Sequence, residues 1–211
     1  KMKRITFLII LIFCISTMGS IAQTIDPDSI ELVKKQLIIV KKSLSESLFK
    51  ESKNRGQVIQ NMLELGMWQE ASKAISGLRS GSMEHQLLTA EYLILNNEFK
   101  EAEIIVNKIL VKHGKKEKAI LLKSVLEMHA WRLPEAASIL EKAKKSLRSE
   151  KLQLMLGRIR LLEKKYLEAL TIAKDVLKTN INSAGAYLLE ADAYFWDQQP
   201  ELALAPLRKS L

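Results

Sequence analysis

The clearest structural signal in the sequence is the stretch MEHQLLTAEYLILNNEFKEAEIIVNKIL at residues 83–110. Ala102 follows a helix-starting glutamate, Phe99 stands three positions before it, and Val106 stands four positions after it. Ala90, a second small residue, stands twelve positions before Ala102. Small residues let two helices approach closely, so this order predicts a pair of helices that cross at the two alanines.

The same order returns along the chain at a nearly constant interval. The alanine recurs at separations of 31, 34, 33 and 34 residues, at Ala71, Ala102, Ala136, Ala169 and Ala203. Three positions before these alanines stand Trp68, Phe99, Leu133, Tyr166 and Pro200. Twelve positions before the last four stand Ala90, Ser124, Gly157 and Ala191. Several columns in register indicate a tandem repeat in which each unit is one helix pair.

These columns resemble the tetratricopeptide repeat (TPR) family, whose units of about 34 residues carry a small residue, an aromatic, an alanine and a later apolar residue. The resemblance covers residues 54–211. It implies an all-α fold, a right-handed α-solenoid of about five TPR-like helix-turn-helix repeats. The first helix of each repeat is called helix A and the second helix B.

The repeat register places each helix. Helices A are expected near residues 55–65, 83–96, 116–130, 149–163 and 183–197. Helices B are expected near residues 68–79, 99–112, 133–147, 166–178 and 199–211. Gly, Ser and Asn at the boundaries favour caps and turns, which supports these divisions.

The chain begins with the pattern of a secretory signal peptide. Residues 1–4 are basic, residues 5–15 are apolar apart from Thr6, and small residues lead to Ala22. The apolar run is shorter than the roughly 20 residues that a membrane-spanning helix needs. We therefore expect residues 1–22 to be a signal peptide, with retention as an anchor as the alternative. Residues 23–53 are expected to form an amphipathic helix that caps the first repeat.

The charge balance excludes few partners by itself. The chain has 33 Lys and Arg against 24 Asp and Glu, and removal of the signal peptide takes away three of the basic residues. The remaining excess is scattered among acidic residues, which does not indicate nucleic acid. We expect neither nucleic acid nor a small-molecule substrate as a ligand.

The sequence carries no pattern typical of catalysis or of metal binding. The glutamates that could suggest paired catalytic acids recur once per repeat at the start of helix B, where the helix dipole favours a negative charge. The three histidines show no ligand spacing, and phosphate-loop, dinucleotide and nucleophile motifs are missing from the sequence. We therefore expect a protein that is not an enzyme, with no catalytic residues, cofactor or metal.

The resemblance also implies a binding surface, because helix A positions line an inner groove in this family. Carried over one position at a time, the candidate groove residues are Glu91, Lys118, Met128, His129, Lys151, Arg158, Asp192, Phe195 and Trp196. They are accompanied by a leucine stripe at Leu87, Leu121, Leu154 and Leu188. This surface predicts a partner segment with acidic and apolar residues; the alternative is that the leucines are core and the lysines are solvated.

Two functional hypotheses follow from this combination. The first is a protein-protein interaction scaffold in the bacterial periplasm or cell envelope that binds another protein or a peptide segment in the groove. The second is the N-terminal periplasmic repeat arm of a longer envelope protein, such as an outer-membrane β-barrel exporter or assembly component. The second hypothesis expects the repeats to be truncated at Leu211, and membrane association through the missing C-terminal region.

The signal-peptide prediction can be checked directly. Cleavage after Ala22 should give an exported protein that begins at Gln23. Mass spectrometry of the protein recovered from a bacterial host would measure this N-terminus. Exported protein that keeps residues 5–15 would contradict cleavage and favour the anchor.

Overall fold

The fold is all-α across residues 55–210, the part of the chain that the computed structural model describes. The helices of this part are α1 (Arg55–Glu64), α2 (Trp68–Ser76), α3 (Met83–Leu95), α4 (Phe99–Lys112), α5 (Glu117–His129), α6 (Leu133–Lys144), α7 (Glu150–Leu162), α8 (Tyr166–Thr179), α9 (Ala184–Trp196) and α10 (Pro200–Ser210). They divide into two compact units after Ala71.

The predicted alternation of helices A and B is confirmed within these residues. Odd-numbered helices are the predicted helices A, and even-numbered helices are the predicted helices B. Helix α2 ends at Ser76 because Gly77 follows, and α6 ends at Lys144, before a turn in which Ser146 bonds back to Ala143. The predicted signal peptide at residues 1–22 and capping helix at residues 23–53 lie outside the described residues. Handedness and repeat number stay predictions.

Helices pack in chain order within the second unit, residues 72–210. Each helix from α3 to α10 contacts the next one, and helices A also contact one another in the pairs α3 with α5, α5 with α7, and α7 with α9. No such contact joins two of the helices B α4, α6, α8 and α10. Neighbouring helices A are therefore closer together than neighbouring helices B. The inner side of this unit is lined by helices A.

The small-residue columns are buried between packed helices, which is what the predicted crossings require. Ala102, Ala136 and Ala169 have no exposed surface at all, and neither does Ser124. A β-carbon added to Gly157 would collide with the side chain of Leu189 from the next helix A. These positions are filled by the backbone and side chains of the neighbouring helix, so a larger residue would force the helices apart.

One backbone conformation recurs in every turn from helix A to helix B. The residue two positions after each of these helices has a positive φ, at Gly66 (70°), Asn97 (63°), Trp131 (59°), Lys164 (60°) and Gln198 (61°). In the turn after α3, the Asn97 N–H donates to the Ile94 carbonyl at 3.0 Å and the Glu98 N–H donates to the Leu93 carbonyl at 2.8 Å. The other four turns carry the same pair of bonds. This is the Schellman arrangement, which satisfies the last carbonyl groups of a helix.

Trp131 is the least suitable of these five residues for its conformation. A left-handed backbone costs a residue with a β-carbon about 1–2 kcal/mol relative to glycine. The Trp131 side chain is 71% exposed, so its removal eliminates few packing contacts. We expect Trp131→Gly to raise the free energy of unfolding by about 1 kcal/mol, measured by denaturant titration.

The preceding residue provides a matched control for this substitution. Ala130 has an ordinary negative φ of −77°, so Ala130→Gly should destabilise the protein or leave it unchanged. Equal effects of the two glycines would show that the left-handed turn at Trp131 is not the source of the strain.

Candidate interaction surface

The candidate groove residues lie on helices A of the second unit. Glu91 is on α3; Lys118, Met128 and His129 are on α5; Lys151 and Arg158 are on α7; Asp192, Phe195 and Trp196 are on α9. The Nζ atom of Lys118 lies 2.7 Å from Oε2 of Glu91, so these two positions meet across α3 and α5. Arg158 acts electrostatically on Asp192 across α7 and α9. Side chains from adjacent helices A therefore share one surface, the A-helix face.

The cations on this face are in two different situations. Lys118 is half-buried and neutralised by Glu91, so its charge is already engaged within the protein. Lys151 and Arg158 have exposed side chains on α7. The cationic part of the A-helix face that a partner can reach is therefore centred on α7.

Asp192 is the acidic counterpart of Arg158. Burial raises the pKa of the Asp192 carboxyl above its usual value, and the positive charge of Arg158 acts in the opposite direction. Any event that draws the Arg158 guanidinium away leaves this carboxylate with less compensation. The two residues consequently form one electrostatic unit across neighbouring repeats.

The leucine stripe belongs largely to the packing between helices. Leu87 is buried, whereas Leu121, Leu154 and Leu188 are half-buried. Leu121 packs on the apolar cluster that contains Leu140, and Leu154 packs on the one that contains Leu170. The stripe therefore holds the helices together and presents only part of its surface to a ligand.

Apolar surface is exposed instead at the end of α9. Phe195 is 53% exposed and Trp196 is 60% exposed, and their rings meet edge to face with centroids 5.7 Å apart. At the position one repeat earlier, 34 residues before Trp196, Leu162 is also exposed. His129 is also exposed, and the centroid of its ring lies 4.5 Å from that of Phe99 at the start of α4. Met128 is half-buried. The accessible apolar part of the face is thus Leu162, Phe195 and Trp196.

Two ionic networks were not predicted from the sequence. In the first, Lys123 on α5 contacts Glu103 on α4 at 2.6 Å and Glu127 at 2.9 Å, and Glu127 also accepts from Arg132. In the second, Arg160 binds Glu141, Glu163 and Glu168 on three successive segments. Both join helix B of one repeat to helix A of the next. One feature of the sequence could have indicated these networks. Nine positions before the repeat alanine, two repeats have the uncharged residues Leu93 and Tyr194, whereas the two repeats between them have Glu127 and Arg160.

Burial and pairing oppose each other in the first network. Burial disfavours the charge on Glu127, but hydrogen bonds from Arg132 and Lys123 outweigh it and hold the pKa of the carboxyl below its usual value. Burial likewise lowers the pKa of Lys123, and hydrogen bonds with Glu103 and Glu127 more than reverse the effect. Both groups are therefore charged and matched at neutral pH.

The same part of the chain lacks the features of a metal site and of a membrane-spanning helix. Among residues 55–210, no group of three His, Cys, Asp or Glu side chains is arranged to hold a metal ion. Every helix in that range is too short or too polar to cross a bilayer.

The fold is shared with solved TPR proteins. A thermophilic TPR protein from Thermus thermophilus superposes with a TM-score of 0.66 and 17% sequence identity, over 75% of this chain and 89% of that one. A tetratricopeptide repeat protein from Parabacteroides merdae gives 0.58 and 20% identity, over 86% of this chain and 75% of that one. No family model and no curated protein sequence matches the chain. The chain therefore has the TPR fold.

The first ionic network predicts an acid-sensitive contribution to stability. Since the pKa of Glu127 is lowered in the folded protein from an ordinary value of 4.5, the contribution is complete above that value. It is lost as the pH falls through the lowered folded value. We expect Glu127→Gln to reduce the free energy of unfolding by about 1–3 kcal/mol at neutral pH, and by less at about pH 3. Denaturant titrations across this range measure the difference.

Glu141→Gln serves as the comparison, because Glu141 binds Arg160 from a half-exposed position and its loss should matter less. A Glu127→Gln effect that is equally large at both pH values would contradict an ionised, charge-matched Glu127.

Proposed function

We propose that the protein is a non-enzymatic interaction scaffold of the bacterial periplasm or cell envelope that binds a partner protein segment on the A-helix face. The observation that carries this proposal is the exposed pair Phe195 and Trp196, which lies on the same face as Arg158 and Asp192. Exposed aromatic side chains beside charged groups are typical of the residues that contribute most to protein-protein binding.

The chemistry of the face defines the partner segment. Lys151 and Arg158 offer exposed positive charge on long aliphatic stems, which favours acidic side chains with apolar neighbours. Leu162, Phe195 and Trp196 offer apolar surface for an aliphatic or aromatic anchor. A segment that places acidic residues over α7 and an apolar residue over the end of α9 would satisfy both.

The envelope location rests on the N-terminal sequence. Residues 1–4 supply the basic part, residues 5–15 the apolar part and Ala22 the small residue at the expected cleavage position. An exported scaffold meets its partners outside the cytoplasm, which is where we expect its ligand.

A second candidate is a repeat arm of a longer envelope protein. Leu202 and Leu204 are exposed on different sides of α10, so a further helix that packs on α10 would bury one of them. In that case the A-helix face described above would act as one part of a larger binding surface.

Charge reversal tests the proposed binding face. We expect Lys151→Glu combined with Arg158→Glu to weaken capture of the native partner from envelope extracts and to make the residual binding less sensitive to salt. Both side chains are exposed, so helicity should change little, and loss of the Arg158 charge near Asp192 should lower the unfolding midpoint only slightly.

Lys100→Glu combined with Lys164→Glu is the matched control, because both lysines are exposed but lie at turns from helix A to helix B. Capture that is equal for the two double variants would refute binding at α7.

A further inference from the structure

The surplus of positive charge is largest in two short stretches of chain, which corrects the expectation that it is scattered. Residues 108–118 and 142–151 together contain ten Lys and Arg but only Glu117 and Glu150 as acids, a surplus of eight. The whole chain has a surplus of nine. The ten basic residues are Lys108, Lys112, Lys115, Lys116, Lys118, Lys142, Lys144, Lys145, Arg148 and Lys151, of which Lys118 is paired with Glu91 outside these stretches.

The fold brings both stretches to one edge of the second unit. Each stretch spans the end of a helix B and the start of the next helix A, from α4 into α5 and from α6 into α7. One apolar cluster joins the two stretches: it contains Leu110 and Ile120 from the first stretch and its flank, and Leu147 and Leu152 from the second stretch and its flank. The two loops are therefore held side by side by a shared core.

The next loop along the chain is fixed to the same edge. Asn180 and Ser183 donate hydrogen bonds to the Glu150 carboxylate at 2.8 and 2.6 Å. These bonds hold the loop between α8 and α9 against the start of α7, and they engage one of the two acids of the basic stretches. Two aliphatic side chains on this edge are largely exposed. Ile181 in that loop is 71% exposed, and Val111 in the last turn of α4 is 87% exposed.

The opposite edge, made of the turns from helix A to helix B, has the reverse balance. Its four segments are residues 96–103, 129–135, 163–168 and 196–201, which contain four Lys and Arg against eight Asp and Glu. Basic and acidic segments alternate along this part of the sequence, and the fold gathers them on one basic edge and one acidic edge.

We propose that the basic edge binds a membrane surface of anionic lipid headgroups. Exposed Lys and Arg side chains on flexible stems suit many equivalent negative charges better than they suit one fixed ligand. Val111 and Ile181 beside them provide aliphatic groups that can enter the boundary between headgroups and acyl chains.

Two other polyanions fit the edge less well. The basic stretches contain no Phe, Tyr or Trp on which nucleic-acid bases could stack. An acidic protein segment is the ligand proposed for the A-helix face, where aromatic side chains can anchor it. The basic edge has no such aromatic side chains, so it is less suited to a protein segment. The membrane proposal does not depend on that function.

Vesicle binding tests the proposal on the full chain. The triple variant combines Lys115→Gln, Lys145→Gln and Arg148→Gln. It removes three exposed positive charges from the loops and leaves the candidate groove residues intact. Binding is measured by cosedimentation with vesicles of phosphatidylglycerol and phosphatidylcholine, and with vesicles of phosphatidylcholine alone. Each charge near an anionic surface contributes about fivefold, so we expect the triple variant to bind the anionic vesicles about a hundredfold more weakly.

The control variant carries Lys100→Gln, Lys164→Gln and Lys165→Gln, which remove three positive charges from the acidic edge. It should bind as the unchanged protein does, because the basic edge is intact. Residues 1–54 are the same in all variants, so any binding through them does not affect the comparison. A variant that combines Val111→Ser and Ile181→Ser should bind more weakly, because it lacks the two exposed aliphatic groups. Its binding should still decrease as salt is added, because the basic residues are unchanged.

Three results would overturn the proposal. The first is equal binding of the unchanged protein to anionic and neutral vesicles, which needs no variant. The second is an equal loss of binding in the two triple variants. The third is binding to duplex DNA or polyglutamate without binding to anionic vesicles, which would make the edge a site for a soluble polyanion.

Discussion

The close crossing of helix A with helix B is the constraint on which the rest of the structure depends. It requires a small residue on each side, and the columns that contain Ala90 with Ala102 and Ser124 with Ala136 meet this requirement with no exposed surface. When two helix backbones approach this closely, there is no space for a longer side chain and the angle between the helices is fixed. Repetition of one fixed angle then determines where every turn and every helix face lies in the second unit.

The crossing residues also explain how much of the fold the sequence could predict. Small residues at a constant interval are visible without structural data, so the helix pairs and their order follow from the columns of Ala102 and Gly157. The starts of α3, α7 and α9 were likewise predictable, because Ser82, Ser149 and Ser183 each cap a helix through a bond to a backbone N–H three residues later. These are local features, and local features are present in the sequence itself.

The contacts that the sequence did not predict join residues of different repeats. Glu103 and Lys123 are twenty positions apart, and their pairing depends on how α4 lies against α5. Likewise, the sequence placed Lys118 among the groove cations but could not show that Glu91 neutralises it. Charge sign is visible in a sequence, whereas the partner of a charge is decided by tertiary packing. The candidate surface was therefore predicted as a set of positions, without the division into engaged and accessible charges.

The two edges of the second unit differ because their turns have different freedom. Turns from helix A to helix B are short, and each has a left-handed residue and two Schellman hydrogen bonds. The backbone of these turns therefore has the same conformation even where the left-handed residue is Trp131. The loops from helix B to the next helix A are built without this repeated motif, and their lysines point into solvent. Exposed, weakly constrained positions accept changes in charge at little cost in stability. The repeat period brings these loops, and with them the two basic stretches, to one edge of the second unit.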